Sequence, residues 1–366
     1  MKIQGKSYRT IWENQAGQVS VIDQRMLPHV FKTMELHTWQ DAADAIRNML
    51  VRGAPLIGIT AAYALYLAVR NATNDNWLYE FQQATEGLKA TRPTAVNLNW
   101  AIRQQVSRVN ASMPAGDVSG ALLAGARQLA DDDVESCRKI GQFGLSLIRK
   151  LASKTPGKPL NILTHCNAGW LGCIDWGTAT APIYQAHAEG IPLHVWVDET
   201  RPRWQGAKLT AFELGQEGIP YTVITDNAGG LLMQAGRVDI CIVGTDRTLR
   251  NGDVANKIGT YLKALAAHDN GIPFYVTLPS SSIDWTTEKG SDIIIEERNT
   301  DEVHWVSGQS QLGSDRVRIT PENAKALNPG FDITPARLIK GLITERGICD
   351  ASEVGLRTLF PEAGKL

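Results

Sequence analysis

From residue 159 onward the chain repeats one pattern, a short apolar run followed by a helical stretch, and this rhythm limits the fold more than any other feature. Leu160–Leu163, Leu193–Val197, Tyr221–Ile224, Ile240–Val243, Phe274–Leu278 and Ile293–Ile295 read as buried strands. Amphipathic stretches such as Gly206–Gln216 and Val254–Ala267 lie between most of them and read as helices. Strand–helix alternation of this kind makes a parallel sheet covered on both faces. Three runs are introduced by Gly-Ile-Pro, at 190–192, 218–220 and 271–273, where glycine ends a helix and proline opens the next strand. The expected class is α/β, with a Rossmann-like, doubly wound and mostly parallel sheet over residues 151–366.

The first half has another texture. Ser7–Trp12 and Gln18–Ile22 alternate on either side of Ala16-Gly17 and suggest a small β-hairpin. Thr38-Trp39-Gln40-Asp41 reads as a helix start, and Asp41, Ala42, Ala45, Ile46 and Leu50 recur near the 3.6 period. Pro55 suits the first turn of a second helix, and helical patterns continue over roughly 76–90, 95–109 and 131–151. Residues 1–150 are expected to form a helical N-terminal domain.

With 366 residues and 43% hydrophobic content, each half can bury a sizeable core. The 37 basic and 38 acidic side chains leave a formal charge of −1, so no global field draws nucleic acid or an anionic membrane. Any anion has to be caught locally. The opening residues hold no apolar signal core, and the longest apolar stretch, Leu56–Val69, is too short to span a bilayer, so a cytoplasmic location is expected. Five cysteines (137, 166, 173, 241, 349) lack C-x-x-C spacing, and the seven histidines form no H-x-H or H-x-x-x-H pair. Neither a disulfide framework nor a metal centre is expected.

Ligands of open parallel sheets bind beyond the carboxyl ends of the strands, and the residues there are polar and glycine-bearing. They include Thr164-His165-Cys166-Asn167-Ala168-Gly169, Asp198-Glu199-Thr200-Arg201-Pro202, Asp226-Asn227-Ala228-Gly229-Gly230 and Gly244-Thr245-Asp246-Arg247, the last followed by Asn251–Lys257. Cys166 could be a nucleophile, a redox thiol, a metal ligand or a proton carrier, but taken alone a cysteine at a strand end reads first as a small buried residue. A Cys166–His165 nucleophilic pair is geometrically poor, because neighbours on an extended chain face opposite ways. Asp246 beside Arg247 reads as an acid or as half of an ion pair. No G-x-G-x-x-G follows any strand, so the Ala228-Gly229-Gly230 turn carries little weight for nucleotide. In the helical half, Arg52-Gly53-Ala54-Pro55 places a guanidinium beside free helix N–H groups, which suits a phosphate, although taken alone the segment reads first as a capped helix with a surface arginine.

Together, R-G-A-P-L-I-G (52–58), T-R-P-T-A-V-N-L (91–98), T-H-C-N-A-G (164–169), D-E-T-R-P-R-W-Q-G (198–206), G-T-D-R (244–247), N-G-D-V-A-N-K-I-G-T (251–260) and N-P-G-F-D-I-T-P (328–335) closely resemble the methylthioribose-1-phosphate isomerase family. The resemblance runs from about residue 20 to about 350. Relatives include archaeal ribose-1,5-bisphosphate isomerases and the regulatory subunits of the eukaryotic translation-initiation guanine-exchange factor. It implies a homodimeric aldose–ketose isomerase of methionine salvage, acting on 5-methylthioribose 1-phosphate. The alternatives are isomerisation of 5-deoxyribose 1-phosphate or ribose 1,5-bisphosphate, or a non-catalytic regulatory subunit of the same fold. One segment departs from the commoner small-residue form: Trp170 to Thr178 carries two tryptophans, Trp170 and Trp176, which are expected to shape the pocket for the far end of the sugar.

The resemblance pairs Cys166 with Asp246 as the catalytic residues. In a sugar 1-phosphate the anomeric oxygen is esterified, so ring opening needs an acid at the ring oxygen. Asp246 is the candidate, provided burial keeps its proton on at neutral pH and Arg247 points away. Cys166 then moves hydrogen between C2 and C1, as a base or as an aid to hydride shift. Arg52, Arg92 and Lys257, with the Gly53 and Ala54 amides, are expected to hold the phosphate, while Gln205 and Asn256 position hydroxyls. No cofactor is called for.

Overall fold

The computed structural model describes residues 1–14, 17–92, 95–311 and 313–364. The expected hairpin turn at Ala16 and the pair Pro93-Thr94 lie outside the described residues. Ile11–Glu13 and Val19–Ile22 do pair antiparallel, and Thr33–Leu36 adds a third strand beside the second.

Five helices follow. In α1 (Trp39–Arg47) the Thr38 hydroxyl accepts from Asp41 N at 3.1 Å while the Asp41 carboxylate accepts from Thr38 N at 3.0 Å, a reciprocal cap. Helix α2 (Ala54–Val69) starts at Gly53 with Pro55 in its first turn. It is apolar on every face and almost wholly buried, as a helix must be when neighbours cover it all round. Those neighbours are α1, α3 (Trp77–Lys89), α4 (Val96–Val106) and α5 (Ala115–Ala152). The 131–151 pattern marks only the second half of α5, whose glycine-bearing first half is helical because Val118, Leu122, Ala126 and Leu129 pack into the first core.

In the second half, seven strands lie in the order Gly347–Cys349, Gly341–Thr344, Phe274–Thr277, Ile240–Val243, Leu160–Thr164, Leu193–Asp198, Tyr221–Ile224. All pairs are parallel except the edge strand Gly347–Cys349. Alternate residues serve opposite faces: Ile162, Val195, Val197, Ile240 and Ile242 enter one core, and Leu163, Trp196, Cys241 and Val243 the other. Helices α5, α6 (Ala181–Ala188) and α7 (Ala211–Gln216) cover the first face, and α8 (Ala228–Gln234) and α9 (Thr260–Asp269) the second. This is the doubly wound arrangement expected. The glycines of the three Gly-Ile-Pro segments take φ of +74°, +71° and +67°, which closes each helix one step before its strand.

Two assignments are corrected. Ile293–Ile295 forms no strand and Ile294 is 79% exposed; Ile293 and Ile294 instead line the recess beside Arg92. The sixth parallel strand is Gly341–Thr344, wholly buried. Val254–Ala267 is not one helix: Val254–Lys257 is a strand between Arg247–Leu249 and Phe331–Thr334. Gly259, at φ +104°, then turns the chain into α9. No described helix is long and apolar enough to cross a membrane.

Where α5 crosses α6, a Cβ on Gly144 would lie 2.4 Å from Pro182 Cγ. Gly144→Ala should therefore lower stability by about 1–3 kcal/mol through overpacking, read as a fall in the thermal midpoint. A midpoint at or above that of the parent chain would mean that the two helices do not depend on this close approach.

Candidate active site

In the sheet order, Leu160–Thr164 and Ile240–Val243 are neighbours from which the chain proceeds in opposite directions, so a crevice opens beyond their carboxyl ends. Cys166 stands two residues past the first strand and Asp246 three past the second. Both line one cavity with Arg52, Gly53, Ala54 and Asn256. Arg92 lines an adjoining recess that shares Gly53, Ala54 and Asp246. Gln205 closes another side, with Cys166 Sγ donating to its Oε1 at 3.5 Å. The site thus draws on both halves of the chain.

Cys166 is set by its backbone. Its φ is +66°, a left-handed conformation that is costly for a residue with a side chain. It is held there by Thr200 Oγ1, which accepts from Cys166 N at 2.9 Å, and by Thr210 Oγ1, which donates to Cys166 O at 2.7 Å. His165 faces away into the protein, where Nδ1 meets Asp198 Oδ2 at 2.9 Å and Nε2 meets the Ile258 carbonyl at 2.9 Å. The Cys–His pair is therefore not formed.

Asp246 sits at the mouth of a hairpin, its N–H donating to Ala255 O at 3.1 Å. Burial pushes its carboxyl pKa up from the usual value, while the charges of Lys257, Arg92 and Arg52 act the other way. Arg247 pairs with Asp284 Oδ2 at 3.4 Å, while lining the same recess as Asp246. Burial also raises the Cys166 thiol, opposed by Arg52 and Lys257. Lys257 is pushed down by burial and held up by Cys166 and Asp246.

Each candidate anion ligand already has a partner. Arg52, 7% exposed, donates through Nη1 to Asn167 Oδ1 and through Nη2 to Asn167 O at 2.7 Å. Arg92 Nη2 meets Glu296 Oε2 at 2.9 Å. Lys257 Nζ donates to Gly330 O at 3.0 Å and lies 5.0 Å above the Phe331 ring. Asn256 Nδ2 donates to Thr260 Oγ1 at 3.0 Å. Gly53, at φ +95°, brings the two halves so close that a Cβ there would lie 2.3 Å from Gly172 O. The free N–H groups of α2 begin at this point.

The two tryptophans do not shape the pocket. Trp170 is wholly buried in the core beneath the sheet and Trp176 packs against that core, leaving Gly172 and Cys173 to line the cavity. Sequence reasoning missed Asn167, Thr178, Thr245 and Ser282, which also line it. Asn167 and Thr245 stood inside quoted motifs; Ser282, from a short turn, carried no signal. Among the described residues two clusters hold donor atoms within 4.8 Å of one another: Asp133, Cys137 and Cys173, and His165, Asp198 and Asp226. In the second, Lys263 Nζ lies 3.1 Å from Asp198 Oδ2 and supplies the positive charge.

The family model for the initiation factor 2 subunit family matches residues 50–351. A methylthioribose-1-phosphate isomerase of Sinorhizobium medicae is 56% identical over 366 residues, covering 99% of this chain and all of the relative. One from Gluconobacter oxydans is 55% identical, with full coverage of both chains. Among solved structures, the 5-methylthioribose 1-phosphate isomerase of Pyrococcus horikoshii is 39% identical with a TM-score of 0.84, over 97% of this chain and 96% of that one. The translation initiation factor eIF-2B subunit delta from A. fulgidus is 36% identical with a TM-score of 0.80, over 97% of this chain and all of the other. The chain belongs to the initiation factor 2 subunit family, among the members of it that carry the name methylthioribose-1-phosphate isomerase.

Proposed function

We propose that the protein converts 5-methylthioribose 1-phosphate to 5-methylthioribulose 1-phosphate, with Asp246 and Cys166 as its catalytic residues. The observation that carries this reading is a buried carboxyl and a buried thiol lining one cavity with Arg52 at the sheet's switch point, beside a recess lined by Arg92, with the carboxyl in the field of Lys257. Asp246 donates a proton to the ring oxygen as the C1–O bond breaks, leaving positive character at C1. Hydrogen then moves from C2 to C1 while the C2 hydroxyl loses its proton, so one proton enters and one leaves. The product is a C2 ketone with the phosphate still on C1. A thiol pushed upward by burial keeps its proton at neutral pH, which favours a hydride shift past Cys166 over abstraction by a thiolate. Arg52, Arg92, Lys257 and the Gly53 and Ala54 amides hold the phosphate, Arg52 through the Nε that has no partner, Arg92 and Lys257 by exchanging their present partners for it; Gln205 and Asn256 hold hydroxyls.

In this reading the substrate bridges a helical part, residues 1–150, and a Rossmann-like part, residues 151–366. The protein acts as a cytoplasmic homodimer, by the same family resemblance. Incubation of the purified chain with methylthioribose 1-phosphate, followed for ketose formation, tests the reading; no ketose from a folded protein would reject it.

Asp246→Asn removes the acid but keeps the shape, so kcat should fall by at least ~10²-fold while phosphate affinity holds. Retention of a third of the parent kcat would exclude the role. The acid must be protonated to act and its pKa is raised, so kcat should be level at lower pH and fall as pH rises through that raised value.

For the hydrogen transfer, turnover in D2O is decisive: a hydride shift leaves C1 of the ketose free of deuterium. Deuterium at C1 would instead indicate abstraction and return of a proton.

A further inference from the structure

Arg52 is gripped by a side chain that is itself gripped. The Asn167 Nδ2 group lies 3.1 Å from Thr210 Oγ1 and 2.9 Å from Glu213 Oε1. Thr210 already directs its hydroxyl proton to Cys166 O, so toward Asn167 it can only accept. An ionised Glu213 also only accepts. Two acceptors on one side fix the polarity of the amide, because only its NH2 end can satisfy both. The amide oxygen is thereby turned to Arg52 Nη1, and the Asn167 carbonyl takes Nη2. Arg52 Nε stays buried and without a partner, a donor left over for a ligand.

Glu213 is built into this place. It is fully buried on α7, which the unusually wide turn Gly206–Thr210 introduces. Its Oε1 accepts from Asn167 and from Leu171 N at 2.9 Å, and its Oε2 from Trp170 N at 3.1 Å and the Tyr184 hydroxyl at 2.8 Å. Gly169 has no side chain to spare for this contact, since a Cβ there would lie 1.7 Å from Glu213 Oε2. Among the described residues no lysine or arginine forms a salt bridge with this carboxylate. A buried charge so arranged is expensive unless its hydrogen bonds are all made.

We propose that Glu213 is a positioning residue for the anion site: through the Asn167 amide it orients the Arg52 guanidinium to receive the substrate phosphate. The proposal rests on the reading of Arg52 as a phosphate ligand. Burial raises the carboxyl pKa from its usual value, and the bonds from Asn167, Leu171 and Tyr184, with the Arg52 charge, oppose that rise.

The phosphate passes unchanged from substrate to product, so contacts to it strengthen ground state and transition state alike and appear in KM rather than kcat. Glu213→Gln sets an NH2 either against Asn167 Nδ2 and Leu171 N or against Trp170 N, and in either position removes the charge that Asn167 leans on, while Asn167→Ala removes the link and spares the other bonds to Glu213. Each should raise KM for the sugar phosphate about tenfold or more with kcat largely kept. Tyr184→Phe, which takes one bond from the far oxygen of the same carboxylate, should lower the thermal midpoint and leave KM alone. In the double variants Arg52→Ala/Glu213→Gln and Arg52→Ala/Asn167→Ala, KM should match that of Arg52→Ala, because the second change acts only through the missing guanidinium. Independent, multiplying effects in these cycles would overturn the proposal, as would an unchanged KM in folded Asn167→Ala or a rise in Tyr184→Phe equal to that of Glu213→Gln. The Asn167 cycle decides the matter even if Glu213→Gln fails to fold. An unchanged KM in Arg52→Ala would remove the phosphate reading itself and this proposal with it; a raised KM there, with Asn167→Ala unaffected, would remove the proposal alone.

Discussion

One helix belongs to both halves of the molecule. The first part of α5 gives Val118, Leu122, Ala126 and Leu129 to the core around α2, and its last turns give Leu145 and Ile148 to the core under the parallel sheet. At about 1.5 Å per residue its 38 residues form a rod of about 57 Å. The two halves are thus joined by a stiff element rather than by a loop. This is what allows side chains from α2 and from the strand ends to meet at fixed distances. Ile3, Ile22 and Leu27, from the start of the chain, pack into the sheet's core as well, so the halves share more than a boundary.

Charge at the crevice is arranged by competition. A near-neutral protein collects Arg52, Arg92 and Lys257 within the field of Asp246 and gives each an internal acceptor. Glu296 is the only full charge among those acceptors, and it is shared with Arg298, which in turn meets Glu302. An arriving dianion therefore displaces a neutral oxygen at Lys257 and a diluted carboxylate at Arg92, while Arg52 keeps Asn167 and offers its unpartnered Nε. Asp246 lies within the same field but is desolvated more than it is attracted, which leaves an acid and three cations side by side.

Much of this was legible in the sequence, for identifiable reasons. Strands buried on both faces are continuous apolar runs, and five of the six runs read as strands are in the central sheet. Ile293–Ile295 shows the limit of that signal: three isoleucines promise burial, yet pairing depends on a free edge that no local pattern reveals. Gly341–Thr344 is the converse, a fully buried strand with only Leu342 and Ile343 to announce it. The site residues were legible through motifs at strand ends, where topology makes their convergence predictable. Glu213 was not, because a glutamate on an amphipathic helix looks solvated until the fold sets Asn167, Tyr184 and two backbone N–H groups around it. The tryptophans erred in the other direction: large side chains beside a motif suggested a pocket wall, and the 3₁₀ turn Trp170–Gly172 instead drives Trp170 into the core.

The uniformly apolar surface of α2 has a consequence for synthesis. Its sixteen residues leave the ribosome after the small β-sheet and α1, while α3, α4 and the first half of α5, to Ala130, are still to come. Those roughly sixty residues take on the order of 3–12 s at ordinary elongation rates. Throughout that interval a helix that can tolerate water on no face has no complete shell, so the nascent chain is exposed to non-native association before its chemistry can exist. The order in which the coverings emerge, set by the sequence of elements along the chain, fixes how long α2 stays incompletely covered.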